Sequence, residues 1–100
     1  MEIREEYVEK YGVKEVINDM GEHRKTRMNS VIFPNGWIAS IVHNTEKPEK
    51  GKYSVAMHDY NGQFDWGILN QYGADHGEIF CNTDLEIIIA CETIRRLLNR

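Results

Sequence analysis

From Glu2 to Met20 the apolar positions are Ile3, Tyr7, Val8 and Tyr11, then Val13, Val16, Ile17 and Met20. Steps of three and four dominate each half, the spacing that puts side chains on one face of a helix. Gly12 sits at the join, so the segment reads as one imperfect helix or two short ones meeting at a turn. Gly21 suits the position after the last helical turn, where a left-handed backbone costs glycine nothing.

The pattern then changes to alternation rich in β-branched residues. Met28–Phe33 and Trp37–Asn44 flank Pro34-Asn35-Gly36, the chemistry of a three-residue hairpin with a bulge. Pairing Phe33 with Trp37 puts Ile32/Ile38 and Met28/Val42 on one face, and Phe33/Trp37, Val31/Ala39 and Asn29/Ile41 on the other. Both faces are largely apolar, so cover on both sides is expected, one by a helix and the other by a second helix or a partner chain.

Residues 45–52 are polar apart from Pro48 and read as a solvated, mobile connector. Tyr53–Tyr60 and Gln63–Leu69 then flank Asn61-Gly62, the preferred pair of a two-residue type I′ turn. That turn sets His58 opposite Asp65 and Met57 opposite Trp66. It places Met57, Trp66, Val55, Ile68 and Phe64 on the core face.

Asn70–Glu78 is a second loop, and Ile79-Phe80-Cys81 a short strand. Thr83-Asp84-Leu85-Glu86 forms a capping box, with the Thr83 hydroxyl accepting from the Glu86 amide. The helix it starts should run to about Leu98 on a stripe of Ile87, Ala90, Cys91, Ile94, Leu97 and Leu98, widened by Leu85, Ile88 and Ile89. These elements predict an α+β fold, a single domain over 1–100: an N-terminal helical segment, an antiparallel sheet of four or five strands from two hairpins, and a C-terminal helix packed on the sheet.

Composition narrows the function classes. With 41% hydrophobic residues and ten aromatics, the 100-residue chain can form a core and is not of the disordered class. Its longest apolar run, Ile87–Cys91, falls far short of the roughly twenty residues a membrane helix needs. The start, Met1-Glu2-Ile3-Arg4-Glu5-Glu6, lacks the basic opening and apolar centre of a signal peptide, so a cytoplasmic location is expected. Cys81 and Cys91 match no Cys-x-x-Cys pattern and read as reduced, partly buried thiols.

The net charge of −4 is a sum of opposed blocks: −4 over 1–22, +4 over 23–52, −7 over 53–92 and +3 over 93–100. Acids opening the last helix and arginines closing it match the macrodipole. That leaves a stretch free of Lys and Arg, Tyr53–Asn82, whose acids fall on turns and strand faces.

Four candidate chemistries follow. His58 and Asp65, directly across a ladder, would lie about 5 Å apart at Cβ, as a general base and its orienting acid or as a surface pair. No nucleophile elbow or phosphate loop accompanies them, so no catalytic residue is assigned. Among His23, His43, His58, His76, Cys81 and Cys91, only His76 and Cys81 approach zinc-ligand spacing, so neither a metal nor a cofactor is expected. Arg24, Lys25 and Arg27, with Arg95, Arg96 and Arg100, are the one basic set that could meet phosphates, but the acidic balance disfavours nucleic acid. The tryptophans read as core. Tyr60 and Tyr72, beside acids, have the makings of interface anchors.

The run Asn35-Gly36-Trp37-Ile38-Ala39-Ser40-Ile41-Val42, then Tyr53-Ser54-Val55-Ala56, Asp65-Trp66-Gly67 and the capped C-terminal helix resembles short uncharacterised α+β proteins of phages and prophages. The resemblance covers about residues 31–98. It implies an accessory protein that binds, and inhibits, a host defence or transcription factor, and it assigns no functional residue.

The expected function is therefore non-enzymatic binding of a protein with a basic surface, through Asp59, Tyr60, Asp65, Tyr72, Asp75 and Glu78. The alternatives are a small hydrolytic or lyase-like enzyme using His58 and Asp65, and a structural homodimer formed through the first hairpin.

Overall fold

The computed structural model describes residues 15–18 and 27–99, with side chains from Ser30 onward. Among the described residues an antiparallel sheet carries one α-helix on a single face. Its strands are β1 (Glu15–Asn18), β2 (Arg27–Ile32), β3 (Trp37–His43), β4 (Tyr53–Asp59), β5 (Phe64–Asp65) and β6 (Ile79–Cys81), and α1 spans Asp84–Arg95. The order is β1-β2-β3-β4-β5, and β6 also pairs with β4, so β5 and β6 share its outer edge.

At Glu15–Asn18 the helical expectation fails. The segment is a strand, with Val16 opposite Val31 and Ile17 opposite Ser30. Over four residues a β-branched pair such as Val16-Ile17 suits either period, and the open edge of β2 decides it. The rest of the expected N-terminal helix lies outside the described residues.

The first hairpin follows the sequence. Phe33 N donates to Trp37 O at 2.9 Å, and Val31 faces Ala39 and Ile32 faces Ile38. The register holds to Asn29/Ile41 and then shifts, so Val42 faces Arg27 rather than Met28. Val31, Phe33, Trp37, Ala39 and Ile41 meet Ile87, Ala90, Cys91 and Ile94 of α1 in the core. Fully burying a side chain of this size contributes about 1.5–3 kcal/mol relative to exposing it. On the opposite face Ile38, Ser40 and Ala56 are also buried.

The connector after β3 is organised by one side chain. Asn44 Nδ2 donates to the carbonyls of Lys47 (2.6 Å) and Gly51 (2.7 Å), and Lys47 N donates back to Asn44 Oδ1.

The second hairpin departs from expectation by one residue. Asp59 N donates to Gln63 O (3.0 Å) and Gly62 N to Asp59 O (3.1 Å), so the loop is Tyr60-Asn61-Gly62. A type I′ turn needs positive φ at both central residues. Here Gly62 has φ 84° and Asn61 is not in that region. The Asp59 carboxylate decides the form, its Oδ1 accepting from Asn61 N (2.8 Å) and Gln63 N (2.9 Å). A one-residue slip turns every following side chain to the other face. His58 therefore faces Phe64, Met57 faces Asp65, and Trp66 lies outside, 53% exposed.

The strand expected to reach Leu69 stops at Asp65. A short 3-10 helix, Ile68–Tyr72, follows and puts Leu69 into the core. A two-residue turn with positive φ at both positions occurs instead at His76-Gly77, where Asp75 and Glu78 exchange both backbone bonds (2.9 and 3.1 Å). Chain then returns as β6, with Tyr53 opposite Cys81 and Val55 opposite Ile79.

The N-cap half of the capping box forms, Glu86 N donating to Thr83 Oγ1 at 3.2 Å, while the Glu86 carboxylate accepts from the Thr83 hydroxyl (3.3 Å) rather than from its backbone N–H. The helix ends at Arg95 rather than near Leu98, Leu97 N reaching back three residues to Ile94 O. Leu85, Ile89 and Leu98, counted into the stripe by spacing, are exposed.

Candidate functional site

The six sequence-selected residues do not form one surface. Asp59 is 2% exposed, its carboxylate turned into its own hairpin loop. Tyr60 leaves that loop half-exposed, but its hydroxyl donates to Phe33 O at 2.7 Å, tying the tips of the two hairpins together. Both residues have structural duties at the turn end of the sheet.

Asp65 and its neighbours build a different feature. Asp65 Oδ1 accepts from Gly67 N (3.0 Å) and Ile68 N (2.8 Å), which bends the chain out of β5 into the 3-10 helix. Between these anchors stands Trp66. Its ring stacks on Phe64 at 5.0 Å between centroids and 8° between planes, and Phe64 in turn meets His58 at 4.9 Å. Asn70 fastens the far side, Nδ2 donating to Trp66 O (3.1 Å) and Oδ1 accepting from Gly77 N (2.8 Å). Gly77 lies so close that a Cβ there would stand 2.6 Å from Trp66 Cα. The indole is thus half in solvent yet held from several sides.

Asp75 and Glu78 flank the His76-Gly77 turn beside it. Lys50 and His76 both bond the Asp75 carboxylate, Lys50 having the larger effect, and hold it below its ordinary pKa. The Lys50 ammonium is raised by the same contact. Glu78 accepts from Ser54 Oγ at 2.9 Å. Tyr72, exposed at the end of the 3-10 helix, completes the 65–78 segment.

The expected His58/Asp65 dyad is not assembled. His58 Nδ1 donates to the main-chain carbonyl of Asp59 at 2.7 Å, and the Asp65 carboxylate serves the backbone two and three residues on. Among the described residues no three His, Cys, Asp or Glu side chains converge as a metal set. No described helix is long and apolar enough to cross a membrane.

Trp66 is the residue that sequence reasoning missed. The available signal was Asp65-Trp66-Gly67 itself: an Asp two residues before a Gly starts a side-chain-capped turn as readily as it continues a strand. Comparison with protein-family models, curated proteins and solved structures finds no match to this chain.

Proposed function

We propose that the chain is a non-enzymatic binding protein whose 64–78 segment engages a protein with a basic surface. The observation that carries this reading is Trp66, a large aromatic half-exposed and stacked on Phe64 within a stretch that contains no Lys or Arg. Ordering a surface tryptophan in advance lowers the entropy cost of association, and rigid aromatic anchors dominate interface energetics. Asp65 and Glu78 supply negative charge around it, Asp75 being paired with Lys50, and this charge speeds encounter with a basic partner. Tyr72 adds a second aromatic. Asp59 drops out of the proposed surface because it is buried, and Tyr60 because it stands at the hairpin tips with its hydroxyl on Phe33 O. A phage-type accessory protein acting on a host factor is a role of this kind.

The test is capture by immobilised protein from a host-type lysate, comparing native chain with Trp66→Ala, Tyr72→Ala and Asp75→Lys. A discrete basic protein should be retained, released by raised salt, and lost with Trp66→Ala while circular dichroism is unchanged. Retention indifferent to all three substitutions would overturn the surface.

A further inference from the structure

Where α1 ends, the 3-10 helix and the start of β3 leave an open groove of about 420 Å³ lined by Trp37, Ile68, Tyr72, Arg96, Leu97 and Leu98, with Asn99 at its end. Its materials differ by depth. Trp37 is almost buried, Ile68 and Leu97 are half-buried against the core, and Tyr72 and Leu98 stand out into solvent. Leu98 is 91% exposed, an apolar side chain that nothing in the fold requires to be there.

The one charged lining residue is a cation with capacity to spare. Glu92 is claimed first by Arg95, through Nε to Oε2 (3.0 Å) and Nη2 to Oε1 (2.6 Å). Arg96 shares the same carboxylate through Nε alone, at 2.7 Å. Two guanidinium groups against one carboxylate leave a surplus positive charge at the rim. Among the described residues the terminal amino groups of Arg96 take no other bond.

We propose that this groove binds a small amphipathic carboxylate, its apolar chain over Trp37, Ile68 and Leu97 and its carboxylate on the outer edge of Arg96. The volume lies within the roughly 300–1,000 Å³ typical of small-molecule sites, and an apolar lining with few convergent polar groups is their usual composition. A guanidinium edge matches a planar carboxylate with two parallel hydrogen bonds. The groove shares Ile68 and Tyr72 with the 64–78 segment but does not involve Trp66, Asp65 or Glu78, so it stands or falls without the partner surface proposed there.

The test uses the full chain with octanoate, octan-1-ol and acetate as probes, by calorimetry and by Trp37 emission in a Trp66→Phe background. Octanoate should bind saturably, and acetate should give no heat at the same concentrations. Octan-1-ol should bind about fivefold more weakly, the equivalent of about 1 kcal/mol of exposed ion pairing. Arg96→Gln should bring octanoate down to the affinity of the alcohol. Leu98→Glu, at a fully solvated position, should weaken both without altering circular dichroism. Absence of saturable octanoate binding would overturn the proposal, as would binding that neither substitution changes.

Discussion

The Asn35 side-chain amide donates to the Ile94 carbonyl at 2.8 Å, so the turn of the first hairpin closes the C-terminus of the helix. The same nitrogen lies 3.2 Å from the carbonyls of Arg95 and Leu97, and Asn35 Oδ1 accepts from Trp37 N at 3.1 Å. Terminal carbonyls of a helix have no intrahelical donor. Here one buried amide supplies it across 59 residues of sequence. Asn35→Ala should cost about 1–3 kcal/mol, the range for leaving buried acceptors unsatisfied. Asn35→Asp should cost more, since a carboxylate would face three carbonyl oxygens with no proton to offer. Urea denaturation midpoints should fall in that order, and an Asn35→Asp protein as stable as the native one would contradict the contact.

Asp59 plays the corresponding part in the second hairpin. Removing its carboxylate in Asp59→Ala strips an acceptor from Asn61 N and Gln63 N and should destabilise by about 1–2 kcal/mol, as loss of a helix N-cap does. Asp59→Asn keeps an acceptor oxygen and should retain most of the stability. The variants also check the register. With the side chain gone, the two-residue Asn61-Gly62 turn is the competing form, and it would carry Trp66 toward the core face. A blue shift of tryptophan emission in Asp59→Ala would report that slip.

How far the sequence was legible follows from the range of the forces involved. The first hairpin and the Thr83 cap were readable because each depends on residues within a few positions: Pro34-Asn35-Gly36 in one case, Thr83 and Glu86 in the other. The second turn is ambiguous at the same range, because Asn61-Gly62 suits two turn types and the choice rests on the Asp59 carboxylate, which accepts from Asn61 N and Gln63 N. That single residue displaced His58 from Asp65 and removed the geometry on which a dyad depended. The strand at Glu15–Asn18 and the β6 pairing with β4 are long-range outcomes: an edge with unpaired groups selects whichever segment can reach it. Asn35 as a helix cap was invisible for the same reason. For the site, the acidic segment was found from charge, whereas its tryptophan was assigned to the core by a register that does not occur.

Gly77 is tied to Trp66 by space as well as by backbone conformation. Its φ is 83°, and an added Cβ would also approach Trp66 Cε3 to 2.8 Å. Gly77→Ala should therefore cost about 2–4 kcal/mol, combining left-handed strain with overpacking. Gly62→Ala is the control, with similar φ and nothing within 4 Å of the added carbon. Strain alone should cost it about 1–2 kcal/mol. Thermal denaturation should separate the two, and Gly77→Ala alone should change Trp66 emission. Equal losses in both variants would remove the packing argument.

The two thiols give the fold an alkaline limit. Burial pushes Cys91 up to about 12, with the nearby Cys81 thiol adding to it. Burial pushes Cys81 up to about 11, with a smaller contribution from Glu86. Both start from an ordinary value of 9.0. The unfolded chain thus releases these protons at lower pH than the folded one, and stability falls wherever the native state holds more protons. The contribution is complete below about pH 8.5 and is lost progressively as pH rises from there toward 11–12. Urea titrations from pH 7 to 10.5 should show this decline, and Cys91→Ala should flatten it, although the substitution lowers stability at neutral pH. Because the thiolate is the reactive form, both cysteines should resist alkylation at pH 8 in the native protein and react at the rate of unfolding. Rapid native-state labelling at pH 8, with no dependence on urea, would show that the thiols are not held as the structure holds them.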